Sequence, residues 1–137
     1  MRKIEFRGKR KDNGEWVYGY PCYIDNELII ITGYVKQVDG SLFHCNTFYF
    51  VIPETIGQFT GLHDKNGKEI YEGDIIEVGD MKIAIGWNSK TSSFHGLFMI
   101  GNRQMDTVNL GCLTSDDKII GNIHDNPELL KEVSHEA

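Results

Sequence analysis

Long apolar runs are missing from this chain: no stretch approaches the roughly 20 apolar residues that a membrane-spanning helix needs. The basic opening MRKIEFRGKRKDNGEW also lacks the apolar core of a secretory leader. Cysteine is scarce. Cys22, Cys45 and Cys112 make an odd count with no Cys-x-x-Cys spacing, which predicts reduced thiols in a cytosolic protein. The runs of Leu, Ala, Glu and Lys that mark helical bundles are absent as well. In their place stand 15 Gly, 7 Phe and 6 Tyr among many Ile and Val, a composition for strands joined by tight turns.

What is present suffices for a core. Apolar residues make up 40% and charged residues 25% of the 137-residue chain, ordinary values for a globular protein of one domain or two small β subdomains. The formal charge of −6 is unevenly spread. Residues 1–11 hold six basic side chains against Glu5 alone, a local balance of +5 that leaves −11 for the rest. So acidic a body repels polyanions, which disfavours broad duplex binding.

Hairpin signals run along the chain. Ile4 to Arg7 alternates apolar and charged residues, and Asn13-Gly14 supplies a turn. Trp16, Tyr18 and Tyr20 follow, two apart on one strand face. Leu28 to Thr32 reads as a strand covered on both faces, with a break at Gly33. Tyr34 to Val38 continues to a turn at Asp39-Gly40. A long aromatic strand is expected from Leu42 to Ile52, ended by Pro53 and one or two helical turns. TGLHDKNGKEIYEGDIIEV, residues 60–78, then packs two charged turns around a short strand, Lys68 to Tyr71. Further strands are expected at Ile75 to Val78, Lys82 to Trp87, Phe94 to Ile100, Thr107 to Leu110 and Lys118 to Ile123. In DNPELLKEV, Asn126 suits an N-cap and Pro127 the first helical position, with Leu129 and Leu130 docking on the body. The expected fold is mainly β, with two small antiparallel β subdomains and a short C-terminal helix. They are a hairpin-rich sheet over residues 1–60 and a small barrel-like or sandwich unit over 61–126, with helix and tail over 127–137.

Several polar clusters invite a catalytic reading, and each has a plainer one. Asp64, Asn66 and Gly67 echo a calcium loop, but the Gly comes too early and flanking helices are not predicted. NGKEIYEGD lacks the Lys-Ser/Thr of a nucleotide loop and leads into a strand. Asp74, Asn122, His124 and Asp125 suggest a metallophosphoesterase, yet Ile123 turns His124 to the opposite strand face, and early Asp-x-His ligands are missing. His44, Cys45, His63 and Cys112 are zinc-ligand types without zinc spacing. The cysteines read as inert thiols. The remaining candidate is a surface of Lys9, Arg10, Lys11, Trp16 and Tyr18, where charge and stacking would hold a single strand of nucleic acid. Its plainer alternative, favoured by the acidic body, makes Trp16, Tyr18 and Tyr20 a core face and the lysines an edge guard.

Three blocks, FRGKRKDNGEWVYG, VIPETIGQFTGLHDKNGKEIYEGDII and IIGNIHDNPELL, span nearly the whole chain, and in them the sequence resembles the YopX family of phage and prophage proteins. The resemblance implies a mainly β protein acting in the bacterial cytoplasm, with no enzymatic activity or catalytic residue to carry over. The expected function is therefore a non-catalytic accessory protein that binds a host or phage macromolecule, a protein before a nucleic acid, with self-association at a strand edge also open. The alternatives are a single-stranded nucleic-acid-binding protein using the basic N-terminal segment, and a metal-dependent hydrolase. No cofactor, metal or membrane partner is expected.

Overall fold

A computed structural model of the chain describes residues 3–32, 35–38, 42–45, 47–100, 103–106 and 117–131, with side chains over 3–32, 47–98 and 117–130. The protein is mainly β, built on antiparallel sheets with one short helix near the C-terminus. It divides into two compact units, Met1–Phe59 and Thr60–Ala137.

The first unit contains β1 (Phe6–Lys9), β2 (Trp16–Ile24), β3 (Glu27–Ile31), β4 (Val35–Val38), β5 (Leu42–Cys45) and β6 (Phe48–Phe50). A 3-10 turn, Pro53–Thr55, and the start of β7 (Gly57–His63) complete it. Its sheet runs in the order β6-β3-β2-β1-β7, while β4 and β5 form a separate hairpin. Asn13-Gly14 does turn the chain between β1 and β2, with Gly14 N donating to Arg10 O at 3.0 Å. The next turn, Asp25-Asn26, holds both residues at positive φ, 50° and 67°. Asn and Asp tolerate that conformation, and it matches the twist of the flanking strands.

The sheet also closes on itself. Arg10 bridges Val51, Lys11 N donates to Phe50 O at 2.9 Å, and Ile52 N donates to Lys9 O at 2.8 Å. The ends of β1 and β6 are thereby joined. Thr55 locks the seam, its hydroxyl donating to Ile52 O at 2.6 Å and accepting Lys9 N at 2.9 Å. Inside lie Leu28, Ile30 and Val51, with Val17 and Ile56 packed against them. Space there is tight: a side chain at Gly8 would meet Ile56, Ile30 and Val51 at 3.1–3.3 Å.

The second unit takes the end of β7, then β8 (Glu69–Tyr71), β9 (Asp74–Val78), β10 (Met81–Asn88), β11 (Ser93–Ile100), β12 (Arg103–Asp106), β13 (Lys118–Asn122) and helix α1 (Glu128–Lys131). Five of these strands form an antiparallel sheet in the order β12-β11-β10-β9-β13. Its core is Ile70, Ile76 and Ile85, with Val78, Phe94 and Ile119 packed against it. Trp87 extends that packing towards the β10–β11 turn, meeting Phe94 edge to face at 5.1 Å between centroids.

Three expectations change here. The stretch from Leu42 to Ile52 is not one strand: β5 pairs with β4 and β6 with β3, so the chain changes partner between them. Asn126 does not cap α1 with its side chain, because that oxygen accepts Asn122 N at 3.2 Å instead. And β7, Gly57–His63, is a strand that runs across the expected subdomain limit at residue 60. The expected break at Gly33, the turn at Asp39-Gly40 and the strand from Thr107 to Leu110 lie outside the described residues.

Gly19 shows how closely β2 and β3 approach. A Cβ there would stand 1.9 Å from the Ile31 carbonyl oxygen, part of the backbone itself. Gly19→Ala is expected to lower stability by about 3 kcal/mol, since the strand pair must separate to admit the methyl group. Urea unfolding followed by circular dichroism measures it.

Candidate functional site

Side chains on paired strands share a face with their cross-strand partners and alternate along each strand. In the first unit Arg7 pairs with Tyr18 and Lys9 with Trp16. Tyr20 pairs with Ile31, which pairs with Phe48, and Cys22 pairs with Ile29, which pairs with Phe50. Val17 and Ile30 belong to the opposite, inward face. Trp16, Tyr18 and Tyr20 are therefore not the core face of their strand, contrary to the plainer reading of their spacing. Tyr18 is 44% exposed, Tyr20 59%, Phe48 45% and Phe50 40%, with Phe48 and Phe50 edge to face at 5.9 Å. The interior has room for Val17 and Gly8 but not for an indole, so the small residues turn in and the rings turn out.

The basic residues of the same surface have acidic or aromatic partners within the unit. Arg7 is buried, its guanidinium 4.4 Å from the Trp16 ring centre, and Lys9 approaches the same ring at 5.7 Å. Arg10 makes a two-pronged bond to Asp12, 2.9 and 2.6 Å, and lies 4.1 Å over the Tyr49 ring. That hydrogen-bonded fork holds the Asp12 carboxyl below the usual carboxylate range and raises Arg10 in turn. Lys11 reaches Glu27 at 3.4 Å. Of the five residues expected to act together, Lys9, Trp16 and Tyr18 share the outer face. Arg10 and Lys11 are drawn to Asp12 and Glu27. A cleft of about 390 Å³ opens beside them, lined by Lys11, Asp12, Glu27, Phe48, Tyr49 and Phe50. Phe48 and Phe50 were missed as site residues because they sit in what looked like one long aromatic strand from Leu42 to Ile52.

The catalytic-looking clusters resolve into backbone braces. Asp64, only 8% exposed, accepts Asn66 N and Lys68 N at 2.9 Å each and Ile119 N at 3.1 Å. Burial by itself would raise its carboxyl, but the N–H donors of Ile119, Lys68 and Asn66 outweigh it and hold the group below its ordinary value. Asp74 is buried and accepts Tyr71 N at 2.7 Å, spanning the turn at Glu72-Gly73. Asn122 accepts His124 N and Asp125 N at 3.0 and 2.9 Å and donates to Asp125 at 3.0 Å. His63 and Cys22 are exposed, and the side chains of His44, Cys45 and Cys112 lie outside the described residues. Among the described residues no three His, Cys, Asp or Glu side chains gather as a metal site would require.

Residues 5–131 match the family described as YopX protein. The chain belongs to the YopX family. Its fold is similar to the crystal structure of protein EF1440 from Enterococcus faecalis, with 26% identity and a TM-score of 0.55 over 95% of this chain and 99% of that one. No curated protein matches it. In this YopX-family chain, no helix among the described residues is long and apolar enough to cross a membrane. In the charged 60–78 segment Asp64 ties the β7–β8 turn to β13.

Asp64→Ala is expected to cost about 2–4 kcal/mol, because three backbone donors lose a charged acceptor. A carboxyl whose folded-state value is depressed contributes stability above its unfolded value and loses it as pH falls through the folded one. Native stability should therefore drop below about pH 4, and Asp64→Asn should flatten that drop. Thermal unfolding between pH 2 and 7 checks both.

Proposed function

We propose that this YopX-family protein is a non-catalytic binding module that engages a partner protein through the outward aromatic face of its first unit. The supporting observation is the exposure of Tyr18, Tyr20, Phe48 and Phe50 on one face of a closed sheet. Aromatic side chains of this kind anchor protein interfaces, giving large contact area for little conformational entropy. The basic residues do not form an open track for phosphate, since Arg10 is held by the Asp12 fork and Arg7 and Lys9 lie against the Trp16 ring. A net charge of −6 adds repulsion against nucleic acid. In this reading the module acts in bacteriophage or prophage biology, in the bacterial cytoplasm on a host or phage protein, and its membership of the YopX family supports it.

A metal-dependent hydrolase receives no such support. Asp74, Asn122 and Asp125 are engaged by backbone and neighbouring side chains, and two-metal chemistry needs carboxylates and imidazoles turned to a common point.

The test is affinity capture from induced cells with wild type and a Tyr18→Ser/Tyr20→Ser variant, followed by binding measurements on the purified partner. The variant should retain its melting temperature within a few degrees and bind at least about 30-fold more weakly. Affinity should change little between 0.05 and about 0.5 M salt, as an apolar contact requires. Oligonucleotide binding that collapses over that range would instead establish the single-strand reading. Concentration-dependent sedimentation lost in the variant would make a second copy the partner.

A further inference from the structure

The first unit lays the guanidinium groups of Arg7 and Arg10 against aromatic rings, and adds a carboxylate fork at Arg10. Arg10 is gripped by the Asp12 carboxylate through two hydrogen bonds while its plane covers the Tyr49 ring at 4.1 Å. Arg7 stacks on Trp16 at 4.4 Å. Carboxylate fork plus aromatic face is the arrangement that favours a planar, weakly hydrated cation over a compact ammonium.

A second set of the same groups lies next to the first. Glu27, Phe48 and Phe50 line the open cleft of about 390 Å³, the two rings being 45% and 40% exposed. Register places Lys11 and Glu27 on either side of Phe50: Lys11 N bonds Phe50 O, and Phe50 pairs with Ile29, two residues from Glu27. Lys11 reaches Glu27 by a single contact at 3.4 Å, with side chains 46% and 54% exposed. An ion pair so wet is weak and exchangeable. It contrasts with the short fork at Asp12.

We infer that the Glu27–Phe48–Phe50 cleft receives an arginine side chain of the partner protein, which displaces Lys11 from Glu27 and stacks on the phenylalanine rings as Arg10 stacks on Tyr49. The inference rests on the protein-binding reading above and specifies its chemistry. An acidic ligand meets two lining carboxylates, Asp12 and Glu27, against the single lining ammonium of Lys11, within a chain of net charge −6. An aliphatic ligand leaves Glu27 unanswered.

The probe is Nα-acetyl-arginine amide, titrated into the full-length ¹⁵N-labelled chain, with the norleucine and glutamate analogues as controls. Saturable shifts are expected at the amides of Lys11, Glu27, Phe48 and Phe50, with a Kd on the order of 1 mM. Norleucine should bind about tenfold more weakly. Glu27→Gln, an exposed change that leaves the core untouched, should weaken arginine binding about fivefold. Lys11→Ala should strengthen it about two- to fivefold by removing the internal competitor. Absence of saturable arginine shifts, or equal binding of norleucine, overturns the proposal. So does glutamate binding that disappears in Lys11→Ala, which would make the cleft an anion site. Each of these failures leaves the Tyr18/Tyr20 interface test standing, and a partner that ignores Tyr18→Ser/Tyr20→Ser but is lost in Glu27→Gln separates the two in the other direction.

Discussion

Where Arg10 bridges Val51, the sheet of the first unit closes, and each of its strands acquires an inside and an outside. The inside is narrow. Leu28, Ile30, Val51, Val17 and Ile56 fill it, and even Gly8 has three side chains within 3.3 Å of where a Cβ would lie. Period-two alternation then leaves no choice for the residues between. Trp16, Tyr18 and Tyr20 face outwards because their neighbours Val17 and Gly19 face in. The binding surface is thus a by-product of packing a small core: rings too large for the interior are displayed on its exterior.

The placing of the basic residues follows from the same closure. Bringing the β1–β2 turn against β6 puts Arg10 over Tyr49 and Lys11 near Glu27. A cluster that is strongly basic as a string of letters becomes, in space, a set of matched pairs. Surface pairs of this kind contribute little to stability, but they decide what the surface attracts. Local neutralisation with exposed aromatics suits a protein partner better than a phosphate backbone. The second unit handles its charges differently. Asp64 and Asp74 are buried and turned onto backbone N–H groups, where each carboxylate ties neighbouring strand ends together.

Much of this was legible before any coordinates. Glycine, aromatic and β-branched content announced a mainly β protein, Asn13-Gly14 announced its first hairpin, and three sequence blocks announced the YopX family. The misses have a common cause. β7 was hidden because its residues, GQFTGLH, carry little intrinsic strand preference and are held by pairing with β1 at Gly57 and Gln58. The second half of β2 was disguised by Gly19 and Pro21, and the only mark of the partner change between β5 and β6 is the polar pair Asn46-Thr47 inside an otherwise largely aromatic and apolar stretch. Strand propensity reports how well a residue suits a pleated surface, and it is silent on which neighbour that surface will have.

Residue order alone settled the fold class, the family and the first hairpin turn, because those depend on local backbone preference and on composition. Which face of β2 is buried, and whether Arg10 and Lys11 are available to a ligand, was decided only when distant segments met. Tyr18 and Val17 are equally apolar in a strand pattern. Packing against the Leu28, Ile30 and Val51 cluster, drawn from segments further along the chain, is what places one in the core and the other in solvent.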